Sequence, residues 1–300
     1  MIAQLYRIGL CLIAPITIAA ALLHVALGIL FALLTFAWIG RAGRDASVIV
    51  WSRLLLLIVG VRLESDGEPP QPGHHPRPLS HAVGEGRVRV GSLLLINHTS
   101  WLDVFSIASV VPARFVAKAE IGRWPVFGWL AILVGTLFVE RGRRHAVVRT
   151  NLAVAERLRS GQLIGIFPEG TTTDGSRLLP FHANLVQPAI DLGAPLRPVG
   201  VRFTQRGQFS RAAMFVGDMN LMQSLWRVVT APNLTVQLHW LPAIEPPPSN
   251  RHQAGRAARA AIARALQIGL EEHELPREAH ISPAVDGEDT EPGTQSAPAN

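Results

Sequence analysis

A chain of 300 residues is long enough for one full α/β domain with segments appended at either end. Its single cysteine, Cys11, excludes a disulfide framework and cysteine-ligated zinc within one chain. The formal charge of +6 rests almost wholly on arginine, Lys118 being the only lysine; together with 48% hydrophobic residues it points to an anionic membrane surface, and the lack of zinc-finger spacing, RNP-like aromatics and basic amphipathic runs speaks against a nucleic-acid partner.

From Ile8 to Gly40 there is no Asp, Glu, Lys or Arg. The run exceeds the ~20 residues needed to cross a bilayer, so a membrane-embedded helical segment is expected. Arg41 and Arg44 stand where a cleavable signal would need small residues, so the segment is expected to remain on the mature chain. As one straight helix it would measure about 50 Å, and Pro15 and Gly28 offer places to kink or turn, which leaves a single crossing and a re-entrant path both open. Arg41, Arg44 and Arg53 outweigh Arg7, which predicts a cytoplasmic location for everything downstream. Ala46 to Val61 reads as a second apolar helix, in the interface or against the first; a core helix of the domain is the alternative. Glu64 to Gly86, with Pro69, Pro70, Pro72, Pro76 and Pro78, reads as loop, and His74, His75 and His81 within it lack the carboxylates and spacing of a metal site.

Strand-like and helix-like blocks then alternate. Strands are expected at Val88 to Ile96, Ala113 to Ala117, Thr136 to Val139, Leu163 to Phe167 and Leu196 to Phe203. Helices are expected at Trp101 to Val111, Val126 to Leu133, His145 to Ser160 and Ala183 to Leu192. Val216 and Leu234 to Trp240 suggest later strands. Pro246 to Pro248 end the domain, an arginine-rich helix follows over Gln253 to Glu272, and the polar tail from Pro276 reads as disordered. The pattern predicts an α/β fold with a mostly parallel sheet flanked by helices. It divides the chain into membrane helices over 1–62, a Pro/Gly-rich entry over 63–90, the principal domain over 91–248, the helix over 249–274 and the tail over 275–300.

The chemistry concentrates at Asn97-His98-Thr99-Ser100-Trp101-Leu102-Asp103, between a buried strand and a helix, at the sheet edge where open α/β folds place their sites. A spacing of five would set His98 and Asp103 about 140° apart on a continuous helix. If His98 lies just outside the helix, Asp103 can reach back to one imidazole nitrogen and leave the other to take a proton, a base and orienting carboxylate whose nucleophile comes from the substrate. Ser100 and Asp103 equally fit a capping box, and both readings stay open on spacing alone. No Gly-x-Ser-x-Gly elbow supports a serine hydrolase.

Asn97-His98-x4-Asp103 resembles the HX4D signature of the glycerolipid acyltransferase family, which includes 1-acyl-glycerol-3-phosphate acyltransferases, and further blocks follow in order over roughly Leu94 to Val201. Gly135-Thr136-Leu137-Phe138-Val139-Glu140-Arg141 resembles the second block, Phe167-Pro168-Glu169-Gly170-Thr171 the third, and Leu196-Arg197-Pro198-Val199-Gly200-Val201 the fourth. Lys118-Ala119-Glu120-Ile121 and Trp124 to Gly128 resemble a segment between the first two. The resemblance implies His98 as catalytic base with Asp103, and an acceptor phosphate held by Arg141. It also implies substrate contacts from Lys118, Phe167, Pro168, Glu169, Gly170 and Thr171. The Pro168 to Thr171 turn can offer backbone N–H groups to an anion, and Glu169 can fix the loop. The implied reaction moves a fatty acyl group from acyl-CoA or acyl-carrier protein to the free hydroxyl of a lysolipid, 1-acyl-glycerol-3-phosphate, giving phosphatidic acid at the bacterial inner membrane, with no metal or other cofactor. Thr172 stands where many members carry arginine, and Phe181-His182-Ala183-Asn184 lacks a basic residue some members have after the phenylalanine. A lyso-ornithine lipid O-acyltransferase and a non-catalytic lipid-binding protein are the alternatives.

Overall fold

Short runs of Leu, Ile and Val build a sheet, and the longer periodic segments cover it. A computed structural model describes residues 2–72, 90–124, 127–140, 144–245, 247–248 and 250–271. In chain order these form α1 (Ile2–Thr35), α2 (Arg41–Ile58), β1 (Arg62–Gly67), β2 (Leu93–Ile96), α3 (Leu102–Ala108), β3 (Ala113–Lys118), α4 (Phe127–Leu133), β4 (Leu137–Val139) and α5 (Arg144–Arg159). There follow β5 (Leu163–Ile166), β6 (Arg177–Leu178), α6 (Gln187–Asp191), β7 (Leu196–Gln205), β8 (Gln208–Phe209), α7 (Leu221–Val229), β9 (Leu234–Trp240), α8 (Arg251–Leu266) and β10 (Gly269–Leu270).

The main sheet runs β1-β9-β7-β2-β5-β3-β4, with β8 paired to β7. β7, β2, β5, β3 and β4 are mutually parallel, β9 is antiparallel to β7, and β1 lies parallel to β9 at the edge. Every residue of β2 and β5 is buried, the pattern of strands covered on both faces. The C-terminal ends of the parallel strands therefore share one edge, and the residues after β2, β5, β3 and β4 face a common region.

The structure departs from the expectations at several points. Val216 lies outside any strand, and α7 stands between β8 and β9. α7 opens on a full capping box in which Asn220 Oδ1 accepts from the Gln223 N–H and Gln223 Oε1 accepts from the Asn220 N–H, a signal that Asn-x-x-Gln carries in the sequence. Glu64 to Gly67 belong to β1 rather than to a loop; five of the six residues of β1 are exposed and three are charged, so it shows no apolar face, as suits an edge strand. The rest of that expected loop from residue 73 to 89, with His74, His75 and His81, lies outside the described residues. The expected helix over 183–192 divides into a 3-10 turn, Asn184–Val186, and α6. The arginine-rich helix does not stand beyond the domain: Ala254, Ala258, Ile262 and Leu266 of α8 are buried in one core with Leu93, Leu95, Ile164 and Leu196. The tail expected from residue 275 lies outside the described residues.

α1 is one continuous helix despite Pro15, and its segment Gly9–Thr35 is long and apolar enough to cross a membrane. Gly28 is a packing notch and not a turn, since a Cβ there would fall 2.1 Å from Trp51 Nε1 of α2. Trp51 Nε1 donates to the His24 carbonyl at 3.3 Å while its own carbonyl lies 3.0 Å from His24 Nε2, so the two helices are locked by a reciprocal pair. α2 in turn buries Val48, Leu55 and Leu56 in the domain core, so it lies against the first helix and also serves as a core helix of the domain. Arg53, within the apolar part of α2, donates from Nε to Ser109 O at 2.7 Å at the C-terminal end of α3, where carbonyls lack intrahelical partners.

Asn97 explains how the site is anchored to the sheet. Its Nδ2 donates to Val201 O at 2.9 Å and its Oδ1 accepts the Val201 N–H at 2.7 Å, which continues the β2–β7 ladder by a side chain where the backbone turns away. Asn97 is 1% exposed, so Asn97→Ala orphans two buried backbone groups. The variant is expected to lose about 2–4 kcal/mol in urea denaturation, and a loss under about 1 kcal/mol would count against this anchoring.

Candidate active site

The turn between β2 and α3 buries Thr99, Ser100 and Asp103 almost completely. Asp103, in the first turn of α3, aims back along the chain. Its Oδ2 accepts the Thr99 N–H at 2.7 Å and the Ser100 N–H at 2.9 Å, and lies 2.9 Å from His98 Nδ1. An oxygen that already accepts from two amides has only lone pairs to offer, so Nδ1 carries the proton and Nε2 is left as an acceptor. The bond from the Ser100 N–H is half of a capping box; the other half is missing, because Ser100 Oγ accepts from the Leu102 N–H at 3.2 Å. Capping and histidine orientation are thus two uses of one carboxylate.

The imidazole side chain is 20% exposed while Asp103 is wholly enclosed. Its ring stacks on Phe167 at 4.0 Å between centroids, and Phe167 stacks on Phe115 at 5.8 Å. A Cβ on Gly165 would press within 2.8 Å of Phe115, so a glycine in β5 leaves room for the stack. The His98 backbone is held from two further directions: its N–H donates to Glu169 Oε1 at 2.7 Å and its carbonyl accepts the Thr173 N–H at 2.9 Å.

Glu169, only 3% exposed, also accepts the Leu179 N–H at 3.0 Å on its second oxygen. Burial pushes its carboxyl up to about 7, the two amide donors and Arg259 opposing and Asp103 adding to the rise. The folded chain therefore keeps a proton that the unfolded chain has released over the range from 4.5 to about 7; the associated stability is whole below that range and lost as pH rises through it.

The other residues singled out in the sequence fall along the same edge. Phe167 follows directly on β5, Pro168 is buried, and Gly170 turns the chain with φ +71. The Gly170 N–H donates to Phe167 O at 3.0 Å, so that amide closes the turn instead of facing an anion. Thr171 is exposed. Lys118 is exposed at the end of β3, opposite Val139 in the β3–β4 register. β3 is two strands from β2, so Lys118 stands roughly 10 Å to the side of His98 at ordinary strand spacing. Arg141 lies outside the described residues. At the position of the family's arginine, Thr172 Oγ1 donates to the Phe215 carbonyl, and the Phe215 N–H donates to Thr99 O at 2.9 Å, so a later loop is tied over the turn. Phe115, Leu179 and Arg259 were not singled out in the sequence; each acts through packing or backbone contacts between distant segments. Among the described residues no group of three or more His, Cys, Asp or Glu is placed to hold a metal ion.

Comparison with known proteins meets this geometry. The family profile described as Acyltransferase matches residues 81–202, which include every residue of the His98 constellation. A 1-acyl-sn-glycerol-3-phosphate acyltransferase of Neisseria meningitidis serogroup B is 35% identical over 198 residues, covering 66% of this chain and 71% of that one. The chain belongs to the acyltransferase family. Another relative of this acyltransferase is the lyso-ornithine lipid O-acyltransferase of Pseudomonas aeruginosa, 36% identical over 189 residues and matched over 73% of its length. The acyltransferase also shares its fold with the crystal structure of the 1-acyl-sn-glycerophosphate acyltransferase PlsC from Thermotoga maritima, at a TM-score of 0.60, 18% identity, 87% of this chain and 96% of that one.

Proposed function

We propose that this acyltransferase moves a fatty acyl group from an acyl thioester, acyl-CoA or acyl-carrier protein, to the free hydroxyl of 1-acyl-glycerol-3-phosphate, forming phosphatidic acid. The observation that carries the reading is the His98 Nδ1 to Asp103 bond at 2.9 Å, which leaves Nε2 as the base on a ring still partly open to substrate. The acceptor hydroxyl gives its proton to Nε2 as its oxygen bonds to the thioester carbonyl carbon. Collapse of the tetrahedral intermediate breaks the C–S bond, and the imidazolium returns its proton to the thiolate. No covalent acyl-enzyme and no metal are needed, because the thiolate is already a good leaving group. Asp103 fixes the ring and steadies the imidazolium. Lys118 at the end of β3 and Arg141, two residues past β4 in sequence, are the cations for the acceptor phosphate. α1 embeds in the bacterial inner membrane with the catalytic domain on the cytoplasmic side, where lysolipid and acyl chain enter from the interface.

Purified protein in detergent, given radiolabelled acyl-CoA or acyl-carrier protein and either lysophosphatidic acid or lyso-ornithine lipid, is expected to form labelled phosphatidic acid. Turnover with lyso-ornithine lipid alone would overturn the acceptor assignment and tie the Thr172 departure to a changed head group.

A further inference from the structure

We infer that Arg259 is a positioning residue for acyl transfer: from α8 it clamps β6 beside β10 and so holds Glu169 against the His98 N–H. The inference rests on His98 as the base. The path is continuous in hydrogen bonds. Arg259 Nη2 donates to Leu178 O at 2.5 Å and to Glu271 O at 2.6 Å, and the Glu271 N–H donates to the same Leu178 carbonyl at 3.0 Å. The next amide, Leu179 N–H, is the one that meets Glu169 Oε2 at 3.0 Å, while Oε1 takes the His98 N–H at 2.7 Å. One carboxylate thus spans two segments 81 positions apart, and a shift of Leu178 and Leu179 draws it off His98.

β6 and β10 are two residues each, too short to hold a place by their own ladder, so the grip has to come from a side chain. α8 is a firm base for it, because Ala254, Ala258 and Ile262 are fully buried in the core. These residues lie beyond the stretch 81–202 matched by the family profile, so the match gives Arg259 no part.

The charged groups facing Glu169 are Asp103 from α3 and Arg259 from α8, with Glu271 in turn facing Arg259. Arg259 favours the ionised carboxylate, whose two oxygens accept the His98 and Leu179 amides best. Besides requiring His98 Nε2 free to act as base, the rise in kcat/KM with pH should follow that ionisation.

The test uses the full chain. Arg259→Gln is expected to move the rising limb of the kcat/KM profile upward by roughly half a pH unit, and to do so only while Glu169 is present; in Glu169→Gln the same change should move nothing. Arg259→Lys keeps the charge but not both carbonyl bonds, so its limb should stay in place. Amide hydrogen exchange at His98 and Leu179 in Arg259→Lys should quicken about tenfold relative to the Val201 N–H. A limb unmoved in Arg259→Gln, or a shift that survives Glu169→Gln, overturns the inference, as does wild-type protection of both amides in Arg259→Lys. If Arg259→Gln fails to fold, the exchange result in Arg259→Lys decides alone. Exchange needs no substrate, so a wild type inactive toward the proposed acceptor would sink the functional reading without touching this arm.

Discussion

His98→Ala is expected to lower acyl transfer by about 10²- to 10⁴-fold, the ordinary contribution of a positioned general base, while the thermal midpoint stays close to that of the wild type. The separation of the two effects follows from the geometry. Truncation removes the Nε2 proposed to take the acceptor proton, yet Asp103 keeps the Thr99 and Ser100 amides on its Oδ2, so no buried charge is stranded. The lost stack on Phe167 involves a ring that is already 20% exposed and contributes at most about 1 kcal/mol. The measurement pairs initial rates with thermal denaturation on the same preparation. A variant that keeps more than about a tenth of the wild-type rate would remove His98 from the chemistry.

Asp103 should behave in the opposite way, because the same carboxylate serves both the ring and the turn. Asp103→Ala leaves two buried amides without an acceptor at about 1–3 kcal/mol each, so the variant should lose several kcal/mol of stability together with its activity. Asp103→Asn isolates the charge from the hydrogen bonds. With its amide oxygen in the Oδ2 place it still accepts the Thr99 and Ser100 amides and the Nδ1 proton, and its NH2 falls on the Oδ1 side beside Thr99 Oγ1, so what is lost is the negative charge that steadies the imidazolium. That variant should fold with a midpoint near the wild type and still fall by about 10²- to 10⁴-fold in rate. If Asp103→Asn were fully active, the negative charge would have no part in the chemistry.

The parallel sheet was legible because β2 and β5 are uninterrupted apolar runs and the helices between them keep their period. Leu234 to Trp240 alternates cleanly and was read as a strand; β1 was missed because an edge strand exposed along its length needs no apolar face. α8 was read as an arginine-rich helix after the end of the domain, because its buried stripe is mostly alanine, which carries little hydropathy contrast. At the site, His98 and Asp103 could be paired from spacing because they are local, five positions apart. The bonds of Glu169 reach 71 positions back to His98 and 10 forward to Leu179, and the two-way bond of Asn97 reaches 104, distances over which one sequence carries no register information. The Pro168 to Thr171 turn was read as a source of N–H groups for an anion, and its sequence specifies a turn without specifying that the Gly170 N–H closes it.

The bonds of Asn97 and Glu169 also bear on how the chain comes to be active. The atoms that hold the His98 backbone come from Glu169 and Thr173 after β5, and the bond that anchors Asn97 comes from β7, so the centre cannot be prepared by local folding of the β2–α3 turn. It exists only after β5 and β7 have docked on either side of β2, contacts of high sequence separation that form late and slowly in parallel sheets. During synthesis, residues up to Asp103 can leave the ribosome with their histidine and carboxylate in hand and still be catalytically silent until about a hundred further residues have followed. For a protein whose apolar first helix can reach a bilayer early, this delay keeps acyl chemistry from starting on a half-made chain.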